Sequence, residues 1–81
     1  MTLFFMEIRI YTTENCFYCK QAKELMRRMD QEYEELDRNA MQRDYPDLKT
    51  FPQVFVDGEH IGGLVESAKY FVEKGMISSK K

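Results

Sequence analysis

The sequence has no apolar run that could cross a bilayer. Its most apolar window, Met1 to Met6, is far too short, and no signal-peptide cleavage pattern follows it. A soluble, cytoplasmic protein without a membrane partner is expected. There is also no excess of one charge: twelve basic and fourteen acidic residues leave a net −2, so no field recruits nucleic acid or an anionic surface in bulk. Glycine and proline are sparse, at four and two residues, and nothing in the composition suggests disorder. One histidine and two cysteines are too few for a four-ligand zinc site within one chain. Nor can two cysteines separated by two residues form the disulfide framework of a small secreted domain, which needs bridges between distant segments. What remains is a chain of 81 residues, expected to be one domain over 1–81 with a single core, and a monomer.

The apolar pattern reads as alternating strands and helices. Met6, Ile8 and Ile10 alternate with Glu7, Arg9 and Tyr11, the period of a strand with one face buried. Met6 stands as an alternative start, which would make Leu3, Phe4 and Phe5 an extension. Thr12, Thr13, Glu14 and Asn15 form a polar turn in which Asn15 can cap a helix, so that Cys16 falls at or next to a helix N-terminus. Ala22, Leu25, Met26 and Met29 keep helical spacing and predict a helix from about Phe17 to Asp30. A strand from Tyr33 to Asp37 would complete a right-handed strand-helix-strand unit. Its acidic residues, Glu32, Glu34, Glu35 and Asp37, fit an exposed edge guarded by charge.

Met41, Tyr45 and Leu48 are spaced like a helix face, but Pro46 forbids an uninterrupted helix, so a short helix and then a turn are predicted. Gln53 to Val56 and Glu59 to Ile61 flank Asp57-Gly58, a pair suited to a type I′ hairpin. Leu64, Ala68, Phe71 and Val72 predict a last helix that ends at Gly75, before a frayed tail from Ser78 to Lys81. The methionines at helix spacing read as core filler. There is no internal repeat, linker or low-complexity run.

The chemistry lies in Cys16-Phe17-Tyr18-Cys19. Only a thiolate attacks a disulfide, so a redox cysteine needs a depressed pKa and access to solvent. Free N–H groups and the positive end of the helix dipole would favour an anion at Cys16, and Lys20 one turn along adds positive charge. Cys19, one turn below, is within reach of the Cys16 sulfur and should be the more buried thiol. Inert packing of two small hydrophobes is the competing reading. An iron-sulfur cluster would need cysteine ligands from a second subunit or from glutathione. Phe17 and Tyr18 beside a reactive thiol would make a docking surface for a partner protein. His60, on the strand after the hairpin, reads as a solvent-facing side chain before a general base.

Tyr11-Thr12, the Cys16–Cys19 motif, Thr50-Phe51-Pro52-Gln53-Val54-Phe55-Val56-Asp57-Gly58 and His60-Ile61-Gly62-Gly63 together resemble the glutaredoxin family through the length of the chain. The resemblance implies an α/β thioredoxin-like fold: a four-stranded mixed sheet flanked by helices, in the order β-α-β-α-β-β-α. It implies reduction of protein disulfides or glutathione mixed disulfides, with glutathione as reducing cosubstrate and no metal. Cys16 is then the nucleophile and Cys19 the resolving thiol. Tyr18, Thr50, Phe51, a cis Pro52, Gly63, Leu64 and Val65 are the implied substrate and glutathione contacts. Phe51 offers its backbone, and Gly63, Leu64 and Val65 meet the γ-glutamyl end. Arg43 or Gln42 could take the glycine carboxylate. Disulfide-bearing proteins are the implied partners, ribonucleotide reductase among them.

The chain departs from the family pattern at several positions. Phe17 replaces the motif's common proline, which is expected to make the couple more reducing. Thr13 stands where the family often has lysine, leaving less positive charge around Cys16. Val65 replaces an Asp or Ser that would hold the γ-glutamyl group, so weak glutathione binding is expected. The stretch from Leu36 to Thr50 is short for the family, which could reduce the second helix to a turn. Two other readings stay open: a glutaredoxin-like thioredoxin recycled by a flavoprotein reductase, and a module holding a glutathione-ligated iron-sulfur cluster across a dimer.

Overall fold

Alternation does build the first strand. In the computed structural model, which describes residues 6–77, β1 (Ile8–Tyr11) buries Ile8 and Ile10 on one face. Tyr11, placed by the period of two on the opposite face, is also buried. The alternation alone implied one buried face, but both faces of the sheet carry helices, as the family resemblance implied, and Tyr11 is covered by the second layer. The extension at Leu3, Phe4 and Phe5 and the tail from Ser78 lie outside the described residues.

Helix α1 (Phe17–Arg28) lays Cys19, Ala22 and Met26 against the sheet. It stops two residues short of the predicted Asp30, because Asp30 takes a left-handed conformation at φ 59° and the Gln31 N–H turns back to the Met26 carbonyl. The crossover delivers β2 (Glu34–Leu36) parallel to β1, as a helix-linked pair must be. Asp37 then caps α2 (Arg38–Asp44), accepting from the Ala40 N–H at 2.9 Å. The second helix is thus a real one of seven residues, followed by the turn at Pro46. Strands β3 (Gln53–Val56) and β4 (Glu59–Gly62) form the expected hairpin, with Asp57 and Gly58 both at positive φ. Helix α3 (Leu64–Glu73) follows, and Gly75 takes the left-handed conformation just beyond it.

The strand order is β2-β1-β3-β4, with β3 antiparallel to both neighbours. This is the thioredoxin-like α/β sheet, with the acidic β2 at an edge. Ile8, Ile10, Val54 and Val56 meet Ala22, Met26, Met29 and Phe71 on the face covered by α1 and α3. Tyr11 and Phe55 meet Ala40 and Met41 on the face covered by α2. A bulge between Val54 and Phe55 sets His60 opposite Phe55 and Gly62 opposite Val54. No helix among the described residues is long and apolar enough to cross a membrane.

Candidate active site

The loop that carries Cys16 is tied to the parallel edge of the sheet. The Thr12 N–H donates to the Leu36 carbonyl at 2.8 Å and its hydroxyl to Glu35 at 2.7 Å, while Lys23 from α1 pairs with the same carboxylate at 3.0 Å. These bonds, the Thr12 one first, hold the Glu35 carboxyl below the usual carboxylate range. Asn15 next takes a left-handed conformation, φ 55°, and does not cap the helix. Cys16 is itself the N-cap, extended at φ −112° and ψ 106°, and its Sγ accepts the Cys19 N–H at 3.1 Å. The cap moves by one residue because the backbone turns at Asn15, which leaves Cys16 as the last extended residue before α1. A sulfur in the cap position receives both a backbone donor and the positive end of the helix dipole, which favours charge on it once the pair is reduced.

Cys16 and Cys19 are joined by a disulfide, with Cα atoms 5.2 Å apart. Cys16 is half-buried and Cys19 is 2% exposed, the asymmetry expected of an attacking and a waiting sulfur. Phe17 and Tyr18 are exposed, at 66% and 59%, and their rings meet edge to face. Lys20 is exposed on the next turn.

A groove of about 250 Å³ is lined by Tyr18, Thr50, Phe51, Pro52, Gly63, Leu64, Val65 and Glu66. Seven of the contacts that the resemblance implies, Tyr18, Thr50, Phe51, Pro52, Gly63, Leu64 and Val65, are in that lining, drawn from three segments of the chain. Tyr18 belongs to the cysteine motif, so the groove adjoins the disulfide. The Phe51–Pro52 bond is cis. Glu66, which directly follows Val65, completes the lining. Its carboxylate accepts the Gly63 N–H at 3.0 Å at the start of α3, and its place three residues into a helix was the available signal for that bond.

Arg43 and Gln42 are exposed on α2 and do not line this groove; Arg43 is paired with Asp44 at 3.1 Å. Helix α2 turns Ala40 and Met41 inward, and that setting of the helix directs Arg43 along its own surface. A second depression, about 410 Å³, is lined by Thr13, Glu14, Asn15, Asp37, Arg38 and Asn39. It brings a cation, Arg38, to the loop in which Thr13 stands. His60 is exposed, as expected of its place on the strand after the hairpin, and its ring also stacks on Phe55 at 4.7 Å with its Nε2 2.7 Å from Gln53 Oε1. Among the described residues there is no group of three or more His, Cys, Asp or Glu side chains that could hold a metal ion.

Comparison with known proteins places this geometry. The glutaredoxin family model matches residues 8–61. The chain is similar to glutaredoxin 3 of Escherichia coli strain K12, 40% identical over 62 residues that cover 69% of this chain and 75% of that protein. It is also similar to glutaredoxin 1 of Rickettsia bellii, 39% identical over 66 residues that cover 69% of this chain and 67% of that one. Among solved structures, Francisella tularensis glutaredoxin 1 complexed with cacodylate superposes with a TM-score of 0.71 at 28% identity, covering 88% of this chain and 96% of its own.

Proposed function

The chain belongs to the glutaredoxin family of thiol-disulfide oxidoreductases, and from that premise we propose that it reduces protein disulfides and glutathione mixed disulfides through Cys16 and Cys19, with glutathione as the electron donor. The observation that carries the reading is the half-buried Cys16 at the N-cap of α1, with Cys19 buried beneath it and the groove of Tyr18, Phe51 and Gly63 alongside.

In the proposed cycle the Cys16 thiolate attacks one sulfur of the substrate disulfide, and the other sulfur leaves as a thiolate that takes up a proton. The Cys19 thiolate then attacks Cys16 Sγ, releases the second substrate thiol and forms the Cys16–Cys19 disulfide. One glutathione thiolate opens that disulfide and a second removes the first as oxidised glutathione, so two electrons and two protons pass to the substrate. The Phe51 backbone and the Gly63, Leu64 and Val65 turn are the proposed contacts to glutathione, with the Glu66 carboxylate available to its ammonium group where Val65 has nothing to offer. Arg38 supplies positive charge beside the loop where Thr13 replaces a lysine. The exposed Phe17 and Tyr18 suit a protein surface, and ribonucleotide reductase is the partner to test first.

Two substitutions test the assignment. Cys16→Ser should abolish all disulfide reduction, while Cys19→Ser should lose protein-disulfide reduction and keep part of the activity on glutathione mixed disulfides. Equal loss from both would rule out a single-cysteine route. Assays coupled either to glutathione with its reductase or to thioredoxin reductase identify the donor, and turnover supported only by thioredoxin reductase would replace glutathione in the proposal.

A further inference from the structure

The histidine that the chemistry above leaves unused is linked to the groove by an unbroken set of contacts. Gln53, 7% exposed, donates from Nε2 to the Thr50 carbonyl at 3.2 Å and to Thr50 Oγ1 at 2.9 Å. A carbonyl can only accept, so this pair fixes which end of the Gln53 amide faces Thr50. Gln53 Oε1 is thereby turned to His60 Nε2 at 2.7 Å, and because Oε1 only accepts, Nε2 must carry the proton. The neutral Nε2–H tautomer and the imidazolium both meet that requirement. His60 is held in turn by its stack on Phe55, a core residue that the β4 bulge sets opposite it.

From this geometry we propose that His60 and Gln53 are positioning residues that aim the Phe51 N–H into the ligand groove. The step between them is the Thr50–Phe51 peptide unit. In a planar trans peptide the C=O and N–H point in opposite directions. With the Thr50 carbonyl drawn inward to Gln53, the Phe51 N–H is turned the other way, on the side where Thr50, Phe51 and Pro52 line the groove. A ligand acceptor there meets a donor whose direction is already set, so little ordering remains to be done on binding. Without His60 the Gln53 amide loses one of its three hydrogen bonds and holds the Thr50 carbonyl less firmly. The inference rests on the glutathione reading above.

The test is steady-state kinetics of the full chain with a cysteine–glutathione mixed disulfide, recycled by glutathione and its reductase. His60→Phe keeps a ring on Phe55 but removes the donor. It is expected to raise KM roughly three- to tenfold, the range for one lost hydrogen bond, with kcat held within about twofold. His60→Gln, which restores an N–H, should return KM to near the parent value. Gln53→Glu cannot donate to the Thr50 carbonyl and should raise KM at least as far as His60→Phe. An unchanged KM in either His60→Phe or Gln53→Glu, or a fall in kcat with KM unmoved, overturns the inference. A parent protein inactive on this substrate would overturn the glutathione reading itself. An active parent matched by His60→Phe overturns only the positioning role.

Discussion

Ser67 carries a hydroxyl that is fully buried on the inner face of α3 and has no hydrogen-bond partner among the described residues. A buried polar atom left in this state costs about 1–3 kcal/mol, and serine is also a poorer helix former than alanine. Ser67→Ala is therefore expected to stabilise the fold by about 1 kcal/mol. This would be read as a higher urea midpoint at an unchanged slope. A midpoint that stays put or falls would mean that the hydroxyl finds a partner in solution. Individual residues were legible from the chain to different degrees. Cys16 and Cys19 were readable from their spacing at the start of a helix, whereas the groove members were named through the family resemblance. Two features were not readable: Cys16 as its own cap, which depends on the left-handed turn at Asn15, and the His60–Gln53 bond, which depends on a hairpin register shifted by a bulge.

Between elements, the passage from β4 into α3 is a close one. Gly62 sits at φ 129°, and a Cβ placed there would lie 2.9 Å from the Glu66 Cβ. The same Glu66 accepts the Gly63 N–H and lines the groove, so the close approach serves helix start and site together. Gly62→Ala should destabilise the protein by about 1–3 kcal/mol, the range for a residue held in a sparsely populated conformation, and should push Glu66 away from Gly63. Chemical denaturation measures the first effect, and a weaker affinity for glutathione would report the second. Stability within about 0.5 kcal/mol of the parent would show that the junction relaxes. Helices α1 and α3 were legible from the sequence because one periodicity fixes one buried face, and the β3–β4 hairpin because Asp57-Gly58 marks its turn. Strand β2 was less so: its three residues are exposed or half-buried, and it is held mainly by pairing with β1 and by the ion pairs of Arg9 with Glu34 and Lys23 with Glu35.

Across the whole molecule the two faces of the sheet are covered unequally. The α1 and α3 layer rests on a broad aliphatic core, whereas the other face depends on one seven-residue helix and the cluster of Tyr11, Phe55, Ala40 and Met41. Tyr11 ties that layer together, because its ring packs edge-on to Phe55 and Tyr45 while its hydroxyl donates to Asp44, the last residue of α2, at 3.0 Å. Burial first, and then the bond to the Asp44 carboxylate and its charge, push the Tyr11 pKa up from 10.0 to about 12. The folded state thus holds this proton more tightly than the unfolded chain does. The stability it brings is complete below about pH 10, the unfolded value, and is lost as the pH rises through about 12. Tyr11→Phe keeps the ring and removes the phenol, so it should be less stable than the parent at pH 8 by about 1 kcal/mol. That gap should close as the pH is raised from about 10 towards 12, because only the parent has this proton to lose. Urea midpoints of both proteins across that range check the expectation. A gap that stays constant would mean that the α2 layer does not depend on a protonated Tyr11, and that aromatic packing alone holds it to the sheet.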